Sequence, residues 1–356
     1  MSKKSSVKDE HILIDGSLGE GGGQVLRASL ALSMALGRPF RMVNIRANRP
    51  KPGLKRQHLT CVQAAQAICG AHVEGDAINA TELSFAPGKV RPGDYTFHIG
   101  TGGSIALVLQ ALMPALLWGE TPSRLTVTGG THVPFAPPFE FMRDTLFPRL
   151  ELLGPRLAAH METIGYMDTG GGSVTVDICP AAHAAPFHQE EAGDRYRMEA
   201  VIYGHSLPEG IVERETAVLL SAKYAALGLT PTDIQRLDDP KSSRSVAGPG
   251  NMVLLTVSHG LHKTVFGECG WRGRSAETVA RQACKRARIF ISAGMPIEAH
   301  LADQLLVPLA LAGGGSFVAE RATKHTRTCL AVIEQFMDIK TDFVPIETKG
   351  TRITLR

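Results

Sequence analysis

The chain has 356 residues, of which 44% are hydrophobic and 20% are charged, and its formal net charge is +4. This length suffices for one large domain or two ordinary ones, and the small charge excess neither requires nor excludes a nucleic-acid partner. The longest apolar stretch, 105–118, is interrupted by Gln110 and Pro114 and is shorter than the ~20 residues that span a bilayer. We therefore expect a cytoplasmic protein without a membrane anchor. The polar residues 1–10 are predicted to be a flexible tail.

A short strand, a glycine loop and an apolar helix follow one another twice in the first third of the chain. The two copies comprise strands at 12–15 and 95–99, loops at 16–23 and 100–103, and helices at 24–36 and 104–118. Between them, apolar residues at helical spacing predict a further helix over 56–69. The recurrence indicates a repeated α/β unit.

The C-terminal part returns to alternating helices and strands. Helices are predicted at 300–312 and 326–336, and strands at 317–319, 342–346 and 351–355. The roughly 200 residues between the second copy and this part leave room for one more repeat and about 100 further residues. We therefore predict a repeat domain formed by 11–180 and 278–356, with a smaller inserted domain at 181–277 that has its own strand at 252–257.

A glycine loop with a carboxylate inside it precedes the first helix. Glu20 stands among Gly19, Gly21 and the following glycines, where backbone N–H groups can approach a phosphate at a helix N-terminus. A carboxylate among phosphates is useful when a divalent metal bridges them. The alternative is a tight turn with a solvated glutamate.

The loop 46–58 holds five Lys or Arg residues and a histidine, and it ends where a helix begins. Cations at a helix N-terminus oppose the helix dipole, and a bound phosphate would offset that repulsion. A solvated basic loop is the alternative. Gln110, in the helix after the second glycine loop, is either a ligand contact or a core amide with a neighbouring partner.

Of the thirteen histidines, His325 has the most informative surroundings. It stands at a helix start beside threonines that can cap the helix, and a helix N-terminus lowers the pKa of an imidazole. A neutral imidazole is what a nucleophile requires. A surface histidine next to a cap is the alternative at this point.

Taken together, these segments resemble the RNA 3′-terminal phosphate cyclase family. The matching segments occur in family order and are GSLGEGGGQVLR, RANRPKPGLKRQHL, IGTGGSIALVLQ, GGTHVPFAPP, GPGN, HLADQLLVPLALAGGG and TKHTRTC. The resemblance implies an α/β (α+β) fold of three repeated units, each with two helices and a four-stranded sheet, as in the C-terminal domain of translation initiation factor 3. It also implies a smaller inserted α/β domain.

The resemblance implies a set of site residues. The nucleophilic histidine matches His325, the metal-binding glutamate matches Glu20, and a nucleotide-contacting glutamine matches Gln110. The other nucleotide-binding positions are His300, Leu301, Ala302, Asp303 and Gln304. Phosphate or RNA contacts fall to Gln24, Arg27, Arg46, Arg49, Gln57 and His58. The chain departs from relatives at His300, which is often Tyr, and at His132, which is often Asp.

The implied function is the ATP-dependent conversion of an RNA 3′-terminal phosphate to a 2′,3′-cyclic phosphate. It would proceed through a covalent His–AMP and an RNA-pp-adenosine intermediate, with ATP and Mg²⁺ or Mn²⁺ present. Two alternatives share the fold: a non-catalytic RNA-binding ribosome-assembly factor and an enolpyruvyl transferase-like enzyme. His325 and Glu20 together disfavour both.

Overall fold

The computed structural model describes residues 11–193, 196–237, 245–346 and 350–356. The tail predicted at 1–10 lies outside the described residues. The described residues form a mixed α/β fold with four sheets. No helix among them is long and apolar enough to cross a membrane.

The first sheet contains two helices in its connections. Its elements are β1 Ile12–Asp15, α1 Gly23–Leu36, β2 Phe40–Val43, α2 Arg56–Cys69, β3 His72–Glu74 and β4 Leu83–Ala86. The strand order is β1-β2-β4-β3, and β1 pairs in parallel with β2. The helices predicted at 24–36 and 56–69 are confirmed, and Gly37 and Gly70 end them in the left-handed conformation.

The second sheet has the order β5-β6-β8-β7, extended at the β7 edge by a strand from later in the chain. Its elements are β5 Asp94–His98, α3 Ile105–Leu112, β6 Ser123–Gly129, α4 Phe147–Glu151, β7 Arg156–Gly165 and β8 Gly172–Cys179, with a 3₁₀ helix at Met113–Leu116 and a π-helix at Phe141–Leu146. The α-helix predicted over 104–118 is too long, because Pro114 lacks an N–H and the chain continues as the 3₁₀ turn.

A smaller unit follows the short strand β9 Phe187–Gln189. Its elements are β10 Tyr196–His205, α5 Ile211–Leu219, β11 Ile234–Leu237, β12 Ser245–Ala247, β13 Gly250–His259, β14 His262–Gly270 and α6 Ala276–Ala293, with 3₁₀ helices at Ala222–Leu227 and Pro231–Asp233. The strand predicted at 252–257 lies in β13. The sheet order is β11-β10-β13-β14, while β12 pairs with β7. This unit has its own hydrophobic cluster.

The remaining elements close a sheet with β9. They are α7 Ala299–Leu311, β15 Gly315–Ala319, α8 Lys324–Phe336, β16 Thr341–Pro345 and β17 Thr351–Leu355, and the strand order is β9-β15-β17-β16. Two elements therefore lie across the boundaries predicted for the insert. β9 falls within 181–277 but pairs with β15, and α6 crosses position 277 while Cys284 and Phe290 pack in the cluster of the smaller unit.

Helices that connect strands of the sheets beginning with β1, β5 and β9 pack against one another at the centre of the molecule. α1 contacts α2, α3, α7 and α8, and its buried face includes Leu26, Leu30 and Ala31. This packing brings the loops in front of these helices to one side of the molecule, where the cleft described below lies.

Candidate active site

Helices α1, α2, α3, α7 and α8 each contribute residues from their N-terminal part to one cleft of about 840 Å³. Helix N-termini carry unpaired N–H groups and a partial positive charge, so their convergence suits anionic ligands. The predicted site residues that line this cleft are Glu20, Gln24, Arg27, Arg46, Arg49, Gln57, His58, Gln110, His300, Asp303, Gln304 and His325.

Leu301 and Ala302 are the predicted site residues that the structure does not bring to the cleft. Both are fully buried in the hydrophobic core. Helical periodicity explains this, since His300, Asp303 and Gln304 share one face of α7 while the two intervening residues point to the other.

His325 lies in the first turn of α8, which a reciprocal cap fixes. The Thr323 hydroxyl accepts from the Thr326 N–H at 3.1 Å, and the Thr326 hydroxyl accepts from the Thr323 N–H at 3.0 Å. This capping box holds the start of the helix and therefore the backbone position of His325.

Gln24, predicted as a phosphate contact, lines the cleft and also contacts the imidazole of His325. Its Nε2 donates to Asp303 Oδ2 at 3.0 Å and to the carbonyl oxygen of His325 at 3.2 Å. A carbonyl oxygen only accepts, so the amide orientation is fixed and Gln24 Oε1 faces His325 Nδ1 at 2.7 Å. Nδ1 must then carry the proton, which leaves the lone pair of a neutral imidazole on Nε2.

The Nε2 atom of His325 faces a carboxylate. Glu20 Oε2 lies 3.2 Å from it, and Arg49 Nη2 lies 3.5 Å from the same oxygen. The side chains of His325 and Glu20 are 38% and 40% exposed, so both remain accessible to a ligand. Among the described residues, no three His, Cys, Asp or Glu side chains group as ligands for a metal.

Burial lowers the pKa of His325 below its ordinary value, and the negative charge of Glu20 opposes this effect. His300, Arg27 and Arg49 lower the pKa further. The sequence predicted a lowered pKa from the helix N-terminus, whereas burial is the largest cause. The neutral form needed for nucleophilic attack is favoured.

A second histidine, His58, is also kept neutral. Burial lowers its pKa to about 3, with help from the charges of Arg27, Arg46 and Lys55. Its Nδ1 accepts from the Lys55 N–H, and a Cβ at Gly23 would lie 2.4 Å from its Nε2. The glycine of the first loop is therefore required for the two loops to approach.

Arg46 holds the basic loop as well as lining the cleft. Its Nη1 donates to the carbonyls of Lys51 and Gly53, both at 2.8 Å. Gln57 Oε1 accepts from the Ser104 N–H at 2.8 Å and so joins the basic loop to the second glycine loop. The positions of Arg27 and Arg49 complete the basic side of the cleft.

Helix α7 carries two unpaired polar atoms on residues that line the cleft. Asp303 Oδ1 and Gln304 Oε1 are buried and have no hydrogen-bond partner among the described residues. Burial raises the pKa of Asp303 to about 7. His300 lies 2.6 Å from the N-cap residue Glu298, whose hydrogen bond raises the pKa of His300.

One wall of the cleft was not found from the sequence. Glu268, Trp271 and Arg286 of the smaller unit line it, as does Phe135 of the loop after β6. The sequence feature that could have indicated this wall is Trp271, one of the two tryptophans of the chain. The structure leaves its side chain exposed.

His132, where the chain departs from relatives, belongs to a buried network beside this wall. Its Nε2 lies 3.0 Å from Glu140 Oε2, and the Tyr203 hydroxyl donates to Glu140 Oε1 at 2.7 Å. Burial alone would raise the pKa of Glu140, but the charge and hydrogen bond of His132 and the Tyr203 bond lower it. Because Tyr203 lies on β10, the network joins the smaller unit to the larger one.

Residues 18–343 match the family model described as RNA 3′-terminal phosphate cyclase. The chain belongs to this family. Proteins named RNA 3′-terminal phosphate cyclase are similar over nearly their whole length. The one from Koribacter versatilis is 43% identical over 92% of this chain and 90% of its own length. Those from Ectopseudomonas mendocina and Pseudomonas fluorescens are 40% identical, over 98% of this chain and 99% and 98% of their own lengths.

The resemblance drawn from seven ordered segments is thus confirmed, and with it the assignment to the RNA 3′-terminal phosphate cyclase family of enzymes. The matched range includes Glu20, Gln24 and His325. It also includes the smaller unit with Trp271, so the family match covers both walls of the cleft.

Proposed function

We propose that this enzyme uses ATP to convert the 3′-terminal phosphate of an RNA to a 2′,3′-cyclic phosphate, by way of an adenylate on His325. One observation carries the proposal. His325 donates its Nδ1 proton to Gln24 Oε1, which leaves the lone pair on Nε2, beside Glu20 in a cleft that basic side chains also line.

In the first step, Nε2 of His325 attacks the α-phosphorus of ATP. A nitrogen–phosphorus bond forms, the bond to the bridging oxygen breaks, and pyrophosphate leaves with the electron pair. The ring becomes more positive during the attack, and Gln24 Oε1 then stabilises the Nδ1 proton by a charge-assisted hydrogen bond. The nearby Arg27 and Arg49 offset phosphate charge.

In the second step, an oxygen of the RNA 3′-phosphate attacks the phosphorus of the adenylate, and the bond to Nε2 of His325 breaks. This gives an RNA-pp-adenosine end. The adjacent 2′-OH then attacks the RNA phosphorus and gives up its proton to solvent, the phosphoanhydride bond breaks, AMP leaves with the electron pair, and the ring closes. Nucleophile and electrophile belong to one ribose, so proximity accelerates this step.

Phosphate groups would be held by Arg27, Arg46, Arg49, Gln57 and His58. Neutral His58 offers a hydrogen bond rather than a charge, because its pKa is low. Asp303, Gln304 and Gln110 would hydrogen-bond to the adenine. The ring of His300 would stack on it.

The site fits a divalent metal. The lone pair of neutral His325 and the Glu20 carboxylate oppose each other at 3.2 Å, and nearby positive charge relieves the repulsion. Mg²⁺ is commonly held by one or two carboxylates together with substrate phosphates, and Glu20 would supply that carboxylate. The ion would neutralise charge on the phosphates.

Two finer statements about the fold belong to the proposal. The sheets that begin with β1, β5 and β9 follow one order, first-second-fourth-third strand, with helices in the connections. This supports three repeated units as in the C-terminal domain of translation initiation factor 3. The pairing of β9 and the packing of α6 support an inserted domain that begins after Gln189 and ends near Ala293, rather than at 181–277.

The rival functions make different predictions. A non-catalytic ribosome-assembly factor would not need a nucleophile such as His325 oriented by the amide of Gln24. An enolpyruvyl transferase would also have no use for this pair. With ATP labelled in its α-phosphate, only the cyclase should form a labelled protein.

The labelling of two neighbouring variants tests the proposal. His325→Ala should lose both the label and the conversion of a 3′-phosphate oligoribonucleotide to a phosphatase-resistant product. Lys324→Ala is the matched control, because Lys324 is exposed and adjacent, and it should retain both. A labelled His325→Ala protein would exclude the assignment.

A further inference from the structure

Phe135 has an unusual position at the rim of the cleft. Its side chain is 97% exposed, and its backbone has φ +62°, in the left-handed region that residues other than glycine rarely adopt. It lies in the loop after β6, between Pro134 and Pro137, and lines the cleft. Strained conformations of this kind concentrate at functional sites.

A second exposed aromatic ring comes from the smaller unit. Trp271 follows β14, is 42% exposed, and lies with its ring centroid 6.3 Å from that of Phe135, at an interplanar angle of 39°. The guanidinium of Arg274 lies 4.4 Å from the Trp271 centroid. Arg274 donates hydrogen bonds to Glu268 Oε1 and to the Cys269 carbonyl, and these bonds fix the guanidinium against the Trp271 ring.

Neither ring contributes to the hydrophobic clusters of the two units. An exposed phenylalanine on a rigid loop and an exposed tryptophan on a fixed arginine therefore have no evident structural role. Two flat rings beside a basic cleft are the combination by which proteins hold single-stranded nucleic acid without reading its sequence.

We infer that Phe135 and Trp271 form a stacking site for a base of the RNA upstream of its terminal nucleotide. The inference rests on the proposed function, since it takes RNA as the ligand. The terminal phosphate must reach His325 inside the cleft, which leaves the preceding nucleotides at the rim, where both rings are exposed.

The geometry and the charges agree with this ligand. A base between two rings needs two contacts of about 3.5 Å, slightly more than the present separation, and the exposed Phe135 side chain can move outward to admit it. Arg286 of α6 and Arg49 of the basic loop line the same cleft, so positive charge is present there for the phosphates of the RNA. The smaller unit would thus contribute to RNA binding.

The adenine of ATP is the other possible source of a stacking base. Its expected contacts, Gln110, His300 and Gln304, lie on α3 and α7 rather than on the two walls that carry the exposed rings. The test must therefore separate an effect on RNA from an effect on ATP.

Phe135→Ala is compared with Leu261→Ala, which removes an equally exposed apolar side chain from the turn between β13 and β14. The substrates are a series of oligoribonucleotides with a 3′-phosphate, each of which has one abasic site at a different upstream position. Phe135→Ala should raise the KM for intact RNA by about 5- to 150-fold, which corresponds to the about 1–3 kcal/mol of one base–aromatic stack. The rate of self-adenylylation and the KM for ATP should stay unchanged.

One abasic position should impair the wild-type enzyme and Leu261→Ala but have little further effect on Phe135→Ala. Indifference of the wild-type enzyme to every abasic position would overturn the inference. A raised KM for ATP in Phe135→Ala would also overturn it, because the ring would then serve adenine.

Fluorescence tests the other ring without catalysis. Trp118→Phe leaves Trp271 as the sole tryptophan. RNA should quench its emission, and RNA that is abasic at the sensitive position, or the added Phe135→Ala substitution, should weaken the quenching at equal RNA concentration. An unquenched Trp271 at saturating RNA would refute stacking. If the wild-type enzyme neither labelled itself nor closed the ring, the proposed function would fail while this experiment still decided the stacking site.

Discussion

Gln24→Met should slow self-adenylylation while leaving the fold intact. Methionine approximates the length of glutamine but removes the Nδ1 acceptor of His325 and the donor to Asp303. The neutral imidazole is then free to place its proton on Nε2, the atom that must attack. Gln24 would act as a positioning residue for His325.

The expected size of the effect follows from the hydrogen bond. A hydrogen bond to a charged group contributes about 1.5–3 kcal/mol, and the ring of His325 gains positive charge as it attacks. Because the ring is 38% exposed, water can replace part of the lost contact, so the lower end applies. About 1.5 kcal/mol corresponds to a roughly tenfold slower adenylylation.

Two measurements check this prediction. Single-turnover labelling gives the rate, and ¹⁵N NMR of the imidazole shows which nitrogen carries the proton. Gln335→Met is the control, since Gln335 lies on α8, the helix of His325, and its side chain donates to the Ala331 carbonyl of that helix. Wild-type protein with its proton on Nε2 of His325, or Gln24→Met with an unchanged rate, would refute the reasoning.

Three further predictions follow from other parts of the structure. Glu20→Ala should fold but adenylylate poorly, and wild-type labelling rates at all metal concentrations would remove Glu20 from the metal site. Glu140→Gln should lower the free energy of unfolding at pH 7 by about 3 kcal/mol. Because the pKa of Glu140 is lowered, its stabilisation is lost as the pH falls below the ordinary carboxyl value, so urea unfolding of the variant should depend less on acid; an equal dependence would contradict this. RNA binding should weaken with salt, with a slope of log K against log salt of roughly −2, because the loop 46–58 could neutralise about three phosphates and each contributes about −0.7 to the slope. A slope near zero would show that this loop does not face RNA.

The sequence predicted helices where their ends are chemically marked. The helix over 56–69 has the observed bounds because Gly70 can take the left-handed conformation that ends it. The prediction over 104–118 was too long because the α-helix was extended past Pro114, where the chain forms a 3₁₀ turn. The insert proposed from the structure differs from 181–277 because β9 has only three residues and pairs with β15 more than a hundred residues later. Such pairing leaves no local periodicity.

The site was predictable only where one segment contains the whole pattern. Glycine loops, the basic loop and the helix start at His325 are local features, and the structure brings them into one cleft. The role of Gln24 was not predictable, since it depends on a contact with a residue 301 positions away. The pairing of Phe135, in the matching segment GGTHVPFAPP, with Trp271 was not predicted for the same reason, because it arises from the packing of the smaller unit.

The buried network provides a physical link between that packing and the RNA site. His132 and Glu140 lie on either side of Phe135 in the chain, and Tyr203 binds Glu140 from the smaller unit that carries Trp271. Weakening this network should therefore change the distance and angle between the rings of Phe135 and Trp271. His325 and Gln24 lie on α8 and α1, outside the network. Glu140→Gln should accordingly raise the KM for RNA more than it slows self-adenylylation, and the opposite ranking would mean that the network supports the nucleophile instead.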